Sequence, residues 1–169
     1  MASNSIGELF PGLYLDSFDH VLDAQGRVSL PSEWRNRDGE TEMVLLPTAD
    51  KALVLLPLEV FMEFVKKAAK KAIANPNIQR ALAHLGSNSS RCRCDKQGRM
   101  ALKRSMLDSI GVGKTVKLIG AVNHIRICAP ENWNPSENSE EYLSEIQAIS
   151  DGNDNIDELG SMLQGVFGK

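Results

Sequence analysis

Two kinds of apolar pattern alternate along the chain. Met43 to Leu46, Leu53 to Leu56, Val116 to Ile119 and Ile125 to Cys128 are short apolar runs, too brief for helices, and they predict buried strands. Between the first pair and the second the period changes. Leu58, Phe61, Met62, Val65, Ala68, Ala69, Ala72 and Ile73 recur at helical spacing, and Lys66, Lys67, Lys70 and Lys71 take the other face. Asn75 followed by Pro76 reads as the cap and first turn of a second helix, faced by Ile78, Leu82 and Leu85, with Gly86 predicted to end it. Shorter helical stretches are predicted at Pro31 to Arg37 and at Lys103 to Ile110, the latter closed by Gly111. A last helix is predicted at about Glu137 to Ile149.

The pattern repeats. Residues 23–30 read Asp-Ala-Gln-Gly-Arg-Val-Ser-Leu, and residues 95–102 read Asp-Lys-Gln-Gly-Arg-Met-Ala-Leu, at a constant offset of 72. Each copy continues into a short helix, a strand, a turn and a second strand that ends at a proline, Pro57 or Pro130, with Phe61 or Trp133 soon after. The predicted unit is strand, tight turn, strand, short helix, strand, turn, strand, helix. Glycine supplies the positive φ that the turn needs, and aspartate can hydrogen-bond the turn backbone. This divides the chain into a first module at 8–57, connecting helices at 58–86, a second module at 90–134, a helix at 135–150 and an acidic tail at 151–169, expected to be flexible. Strands as short as Val28 to Leu30 bury little alone, so the modules are expected to pack on one another as a pseudo-dimer.

A duplicated Asp-x-x-Gly-Arg turn with these flanks resembles the MraZ family. The resemblance rests on Asp23, Gly26, Arg27, Leu30, Pro31, Trp34 and Arg35 in the first copy. In the second it rests on Asp95, Gln97, Gly98, Arg99, Leu102, Leu107, Leu118 to Gly120, Pro130 and Trp133. It spans roughly residues 8–149. Lys103 stands where the family commonly has proline, and Ile125 to Ala129 depart from its usual run. The resemblance implies an α+β fold in which two tandem AbrB-like β-modules form one intertwined swapped-hairpin β-barrel. It also implies a ring-like homo-oligomer and a repressor that binds direct repeats upstream of the division and cell-wall gene cluster.

Charge changes the picture once it is divided. The chain carries a net −3, but residues 131–169 hold nine of its 22 acids and one of its 19 bases, a net −8. The remaining 18 bases and 13 acids leave residues 1–130 at +5. A basic body suits a polyanionic partner. Within it, residues 91–104 carry Arg91, Arg93, Lys96, Arg99, Lys103 and Arg104 against Asp95 alone.

Arginine at a turn can reach a phosphate or the O6 and N7 edge of guanine. Arg27 and Arg99 are therefore the first candidates for contact with double-stranded DNA. Arg35, Arg91, Arg93, Lys96 and Arg104 are the second rank, with Arg37 beside Arg35. Asp23, Gly26, Asp95 and Gly98 are read as structural turn residues. Cys92 and Cys94 are too close for ordinary zinc spacing, and on a strand both would face inward, so no metal or other cofactor is expected. Neither a nucleophile elbow nor a phosphate loop is present, so no enzyme is predicted. With no apolar run of membrane length and no secretory pattern at Met1 to Gly7, a cytoplasmic, nucleoid-associated protein is expected. The competing reading is a ring-forming protein scaffold that has lost DNA binding.

Overall fold

The computed structural model describes residues 12–36, 40–135, 143, 144 and 147. Eight strands form one antiparallel sheet: β1 Ser17–Val21, β2 Arg27–Ser29, β3 Thr41–Pro47, β4 Leu53–Pro57, β5 Ser90–Cys94, β6 Arg99–Ala101, β7 Thr115–Gly120 and β8 Ile125–Cys128. Their order is β1-β7-β8-β4-β3-β5-β6-β2. The two end strands are consecutive in sequence and meet at the Asp23 turn, where the Asp23 N–H donates to the Arg27 carbonyl at 2.9 Å. The sheet thus curls into a nearly closed barrel, which leaves little free edge.

Partners are exchanged between the two halves of the chain. β1 pairs with β7, and β5, its repeat counterpart, pairs with β3. β2 lies against β6, and β4 against β8. The strands flanking each Asp-x-x-Gly-Arg turn scarcely pair with each other; on the second turn the ladder is the single pair Cys94↔Met100. Each half therefore completes the other around a local pseudo-twofold axis. The fold is the α+β intertwined swapped-hairpin barrel.

Why β3 and β4 are apolar at nearly every position follows from their surroundings. Met43, Leu45, Leu53 and Leu55 point into the barrel with Val28, Met100, Leu118, Ile125 and Ile127. Val44, Leu46, Val54 and Leu56 point outward beneath Leu58, Phe61, Phe64, Leu82 and Leu85 of two helices, α1 Leu58–Ala72 and α2 Pro76–Asn88. Strands covered on both faces lose the alternation of a half-exposed sheet. On β7 and β8 the outward positions are Lys117, Ile119, Arg126 and Cys128. There Trp133 packs with Ala52, Ile119 and Cys128.

Pro57 is the last residue of β4, as the pattern predicts, with ψ 138°, and α1 starts after it. Its φ suits a helix, but pairing with Met43 holds it extended. Other boundaries differ from the sequence pattern. Gly86 does not end α2, which runs on to Asn88 before Ser89 turns the chain into β5. A glycine that closes a helix commonly does so by taking positive φ, and Gly86 does not. The stretch after Pro31 is reduced to a single 3₁₀ turn, Ser32–Trp34, because Trp34 is drawn into the core. It meets Tyr14 and Phe18 edge-on, with ring centroids at 5.9 and 5.2 Å, and its Nε1 donates to the Leu15 carbonyl at 3.0 Å. The third helix, α3 Arg104–Ser109, ends where Gly111 takes φ 76°. The helix predicted at about Glu137 to Ile149, the acidic tail and Arg37 lie outside the described residues, apart from residues 143, 144 and 147.

Candidate nucleic-acid interface

The two turns are built identically. In the first, Asp23 Oδ1 accepts the N–H groups of Gln25 and Arg27, both at 2.9 Å, and Oδ2 accepts Arg27 Nε at 2.7 Å. In the second, Asp95 Oδ1 accepts Gln97 and Arg99 N–H at 2.9 Å each, and Oδ2 accepts Arg99 Nε at 3.0 Å. Gly26 and Gly98 take φ 72° and 79°. A carboxylate that accepts three donors is stabilised in its charged form. For Asp23 the Arg27 amide and then the Arg27 guanidinium hold the carboxyl below its usual range. For Asp95 the Arg99 amide leads in the same way.

The ladder between β2 and β6 brings the turns together. Its register is Arg27↔Ala101, Val28↔Met100 and Ser29↔Arg99. Val28 and Met100 are fully buried, so Arg27, Ser29, Arg99 and Ala101 share the outer face. Arg27 and Arg99 are diagonal neighbours across this ladder, with Cα atoms about 7–8 Å apart. The Leu30 N–H donates to the Gly98 carbonyl at 2.8 Å and the Leu102 N–H to the Gly26 carbonyl at 3.3 Å, tying each turn to the opposite strand. Each arginine is held at Nε by its own aspartate, and its side chain stays 30% exposed for Arg27 and 36% for Arg99.

The second-rank candidates divide. Arg35 leaves its own module and lies on the second turn. Its Nε donates to the Leu30 carbonyl at 2.7 Å, and a Cβ added to Gly98 would sit 2.1 Å from its guanidinium carbon. Arg91 pairs with Glu42 at 2.6 Å, and Arg93 reaches Glu42 at 3.2 Å and Glu40 at 3.7 Å. Glu42 is held below the usual carboxylate range, chiefly by Arg91. The excess of cations over residues 91–104 is therefore partly offset by Glu42 of β3 and by Glu40 just before it, which a count along the chain does not see. Arg104 pairs with Asp108 at 2.7 Å and caps the carbonyls of Val112 and Gly113 at 3.1 and 3.2 Å. Lys96 is exposed at the tip of the second turn, where the first turn has Ala24.

Lys114 is a cation that the repeat alone does not single out. It stands 91 residues beyond Asp23 in the chain, yet its carbonyl accepts the Leu22 N–H at 2.7 Å, which sets it beside the first turn. A signal existed only in the pairing: Thr41 stands opposite Cys94 in the other half, and the corresponding residue beside Leu22 is a lysine. Cys92 and Cys94 both face the core, where burial raises the Cys92 thiol to about 11. Among the described residues no helix is long and apolar enough to cross a membrane.

Comparison with known proteins agrees with this architecture. A family model described as "MraZ protein, putative antitoxin-like" matches residues 13–82. The transcriptional regulator MraZ of Corynebacterium jeikeium is 30% identical over 144 residues, 85% of this chain and 96% of the relative. The transcriptional regulators MraZ of Lachnoclostridium phytofermentans and Finegoldia magna are 27% and 26% identical, covering 79% and 86% of this chain and 92% and 99% of their own. These relatives are named as regulators and not as enzymes. With its paired turns, exchanged strands and end-to-end similarity to such relatives, the chain belongs to the MraZ family.

Proposed function

We propose that the protein is a sequence-specific DNA-binding transcription regulator that reads DNA through Arg27 and Arg99. The observation that carries this reading is their shared place on the outer face of the β2–β6 ladder, each anchored by an aspartate through Nε. An arginine fixed at Nε keeps its terminal donors for a guanine edge or a phosphate, and loses less freedom on binding than a loose one. The names of the relatives, transcriptional regulators, support the same direction.

In this reading Lys96 and Arg35 support the second turn, and Arg104 supports the first. Arg91 and Arg93 are largely committed to Glu42 and contribute less. Binding is to double-stranded DNA in the cytoplasm, at the nucleoid, and the effect is repression of the division and cell-wall cluster through direct repeats. The direct repeats and the ring are what the family resemblance implies, and a broken symmetry within the protomer is compatible with them. A true twofold would favour inverted half-sites. Here Arg35 faces Gly98 with Leu107 as its counterpart, and Lys96 has Ala24, so one protomer presents an asymmetric surface. Copies placed head to tail in a ring-like homo-oligomer then meet direct repeats, and weak single contacts add through avidity.

The test is binding to the DNA upstream of the protein's own gene, with the number of repeats varied and a scrambled fragment as control, at two salt concentrations. The reading predicts specific binding that strengthens steeply with repeat number and weakens with salt. Equal binding to scrambled DNA, or none at low salt by a folded oligomer, contradicts it.

A further inference from the structure

The pseudo-twofold breaks most sharply beside the turns. Next to the first turn lies an open cleft of about 620 Å³ between the Asp23–Gly26 loop, Leu102 and a rim formed by Arg104 and Lys114. Beside the second turn, the guanidinium of Arg35 covers Gly98. The place of Lys114 is taken there by Thr41, which is buried. One turn thus has Arg35 laid over its glycine, and the other opens onto a hollow rimmed by Arg104 and Lys114.

We propose that this cleft is a subsite for a phosphate group, with Lys114 supplying its charge. The acid in the wall does not compete, because both oxygens of Asp23 are already engaged by Gln25 and Arg27. Arg104 is held by Asp108 and by two carbonyls, so it shapes the rim while Asp108 offsets its charge. Lys114 is exposed and forms no ion pair among the described residues. Its ammonium is a point charge on a flexible stem, suited to a phosphate oxygen whose exact position varies. The phosphate can belong to the nucleic-acid backbone flanking the first turn, in which case the inference rests on the reading above. It can equally belong to a small phosphorylated molecule. The chemistry is shared, and the experiment separates the sources.

The probes are a duplex carrying the upstream repeats and inorganic phosphate, the latter followed by its ³¹P line width on adding the oligomeric protein. Native protein is compared with Lys114→Ala, Lys114→Glu and Lys114→Arg, and with Arg27→Ala/Arg99→Ala. A backbone subsite predicts that Lys114→Ala weakens duplex binding roughly tenfold, as for one charge-assisted contact. The loss should be similar for all sequences and lower the salt slope by about one, while Lys114→Arg retains affinity. A subsite for a free phosphate predicts broadening by native protein that Lys114→Glu abolishes, with duplex binding unchanged. If no Lys114 variant alters either probe while Arg27→Ala/Arg99→Ala loses DNA, the cleft proposal is overturned and the DNA reading stands. If the double arginine variant also binds as native, the DNA reading fails, and the ³¹P result alone decides the cleft: Lys114-dependent broadening upholds it and its absence rejects it.

Discussion

The guanidinium of Arg35, from the first half of the chain, lies directly over Gly98, from the second, where a single added methyl would overlap it. One contact thus joins the two copies of the repeat and makes their turns unequal. Gly98→Ala faces both a left-handed φ and this overlap, whereas Gly26→Ala faces φ alone, its nearest contact being the Leu102 carbonyl at 3.9 Å. Gly26→Ala should cost about 1–2 kcal/mol, and Gly98→Ala about 1 kcal/mol more, as the exposed Arg35 side chain swings aside and gives up its hydrogen bond to the Leu30 carbonyl. Urea unfolding of both, and of Gly98→Ala combined with Arg35→Ala, checks this: the excess should vanish in the combined variant. Equal costs at the two glycines would show that the overlap relaxes freely.

Acid should weaken the barrel through the turns. Asp23 and Asp95 are held below the usual 3.8, and Glu42 below 4.5. A depressed folded pKa gives stability that is complete above the unfolded value and is lost as pH falls through the folded one. Stability should hold down to about pH 5 and decline below it. Urea midpoints measured against pH should fall less steeply in Asp23→Asn/Asp95→Asn, which has fewer carboxylates left to protonate. An unchanged descent in that variant would move the cause elsewhere.

Trp34 closes the barrel near the β1 end. It is 5% exposed and touches Tyr14, Phe18 and the Leu15 carbonyl. Trp34→Ala should cost about 3–5 kcal/mol, and Trp34→Phe less, because the phenyl keeps part of the packing while the Leu15 carbonyl loses its donor. Thermal unfolding ranks the two, and a surface-like cost for the alanine variant would contradict this placement.

Cys92, Cys94 and Cys128 are buried, and burial raises each thiol above its usual value. A thiol reacts as its thiolate, so all three should resist an aromatic disulfide reagent in the native protein and react together on unfolding. Rapid labelling of one cysteine under native conditions would place that residue at the surface.

Much of this fold was legible in the chain. The short apolar runs at Met43 to Leu46 and Ile125 to Cys128 are strands, and Asn75 with Pro76 does cap a helix, its side chain accepting from Asn77 and Ile78. The repeat located both turns. What periodicity could not give is partner exchange, because β1 and β2 look like a local hairpin and their partners lie roughly 70–100 residues away. The same blindness affected charge. Arg91 and Arg93 looked unopposed until β3 laid Glu42 beside them, and Lys114 looked unremarkable until Leu22 bonded its carbonyl. Properties carried by one turn were readable; properties made by register between halves were not.

The account turns on Arg27 and Arg99. Fluorescence anisotropy of a labelled upstream fragment, with native protein beside Arg27→Ala, Arg99→Ala and the double variant, tests it most directly, with circular dichroism and oligomer size measured on each. The account predicts that each single variant loses specific affinity, that the double variant retains only weak binding shared with scrambled DNA, and that fold and assembly persist. Native-like specific binding by a folded double variant would contradict it.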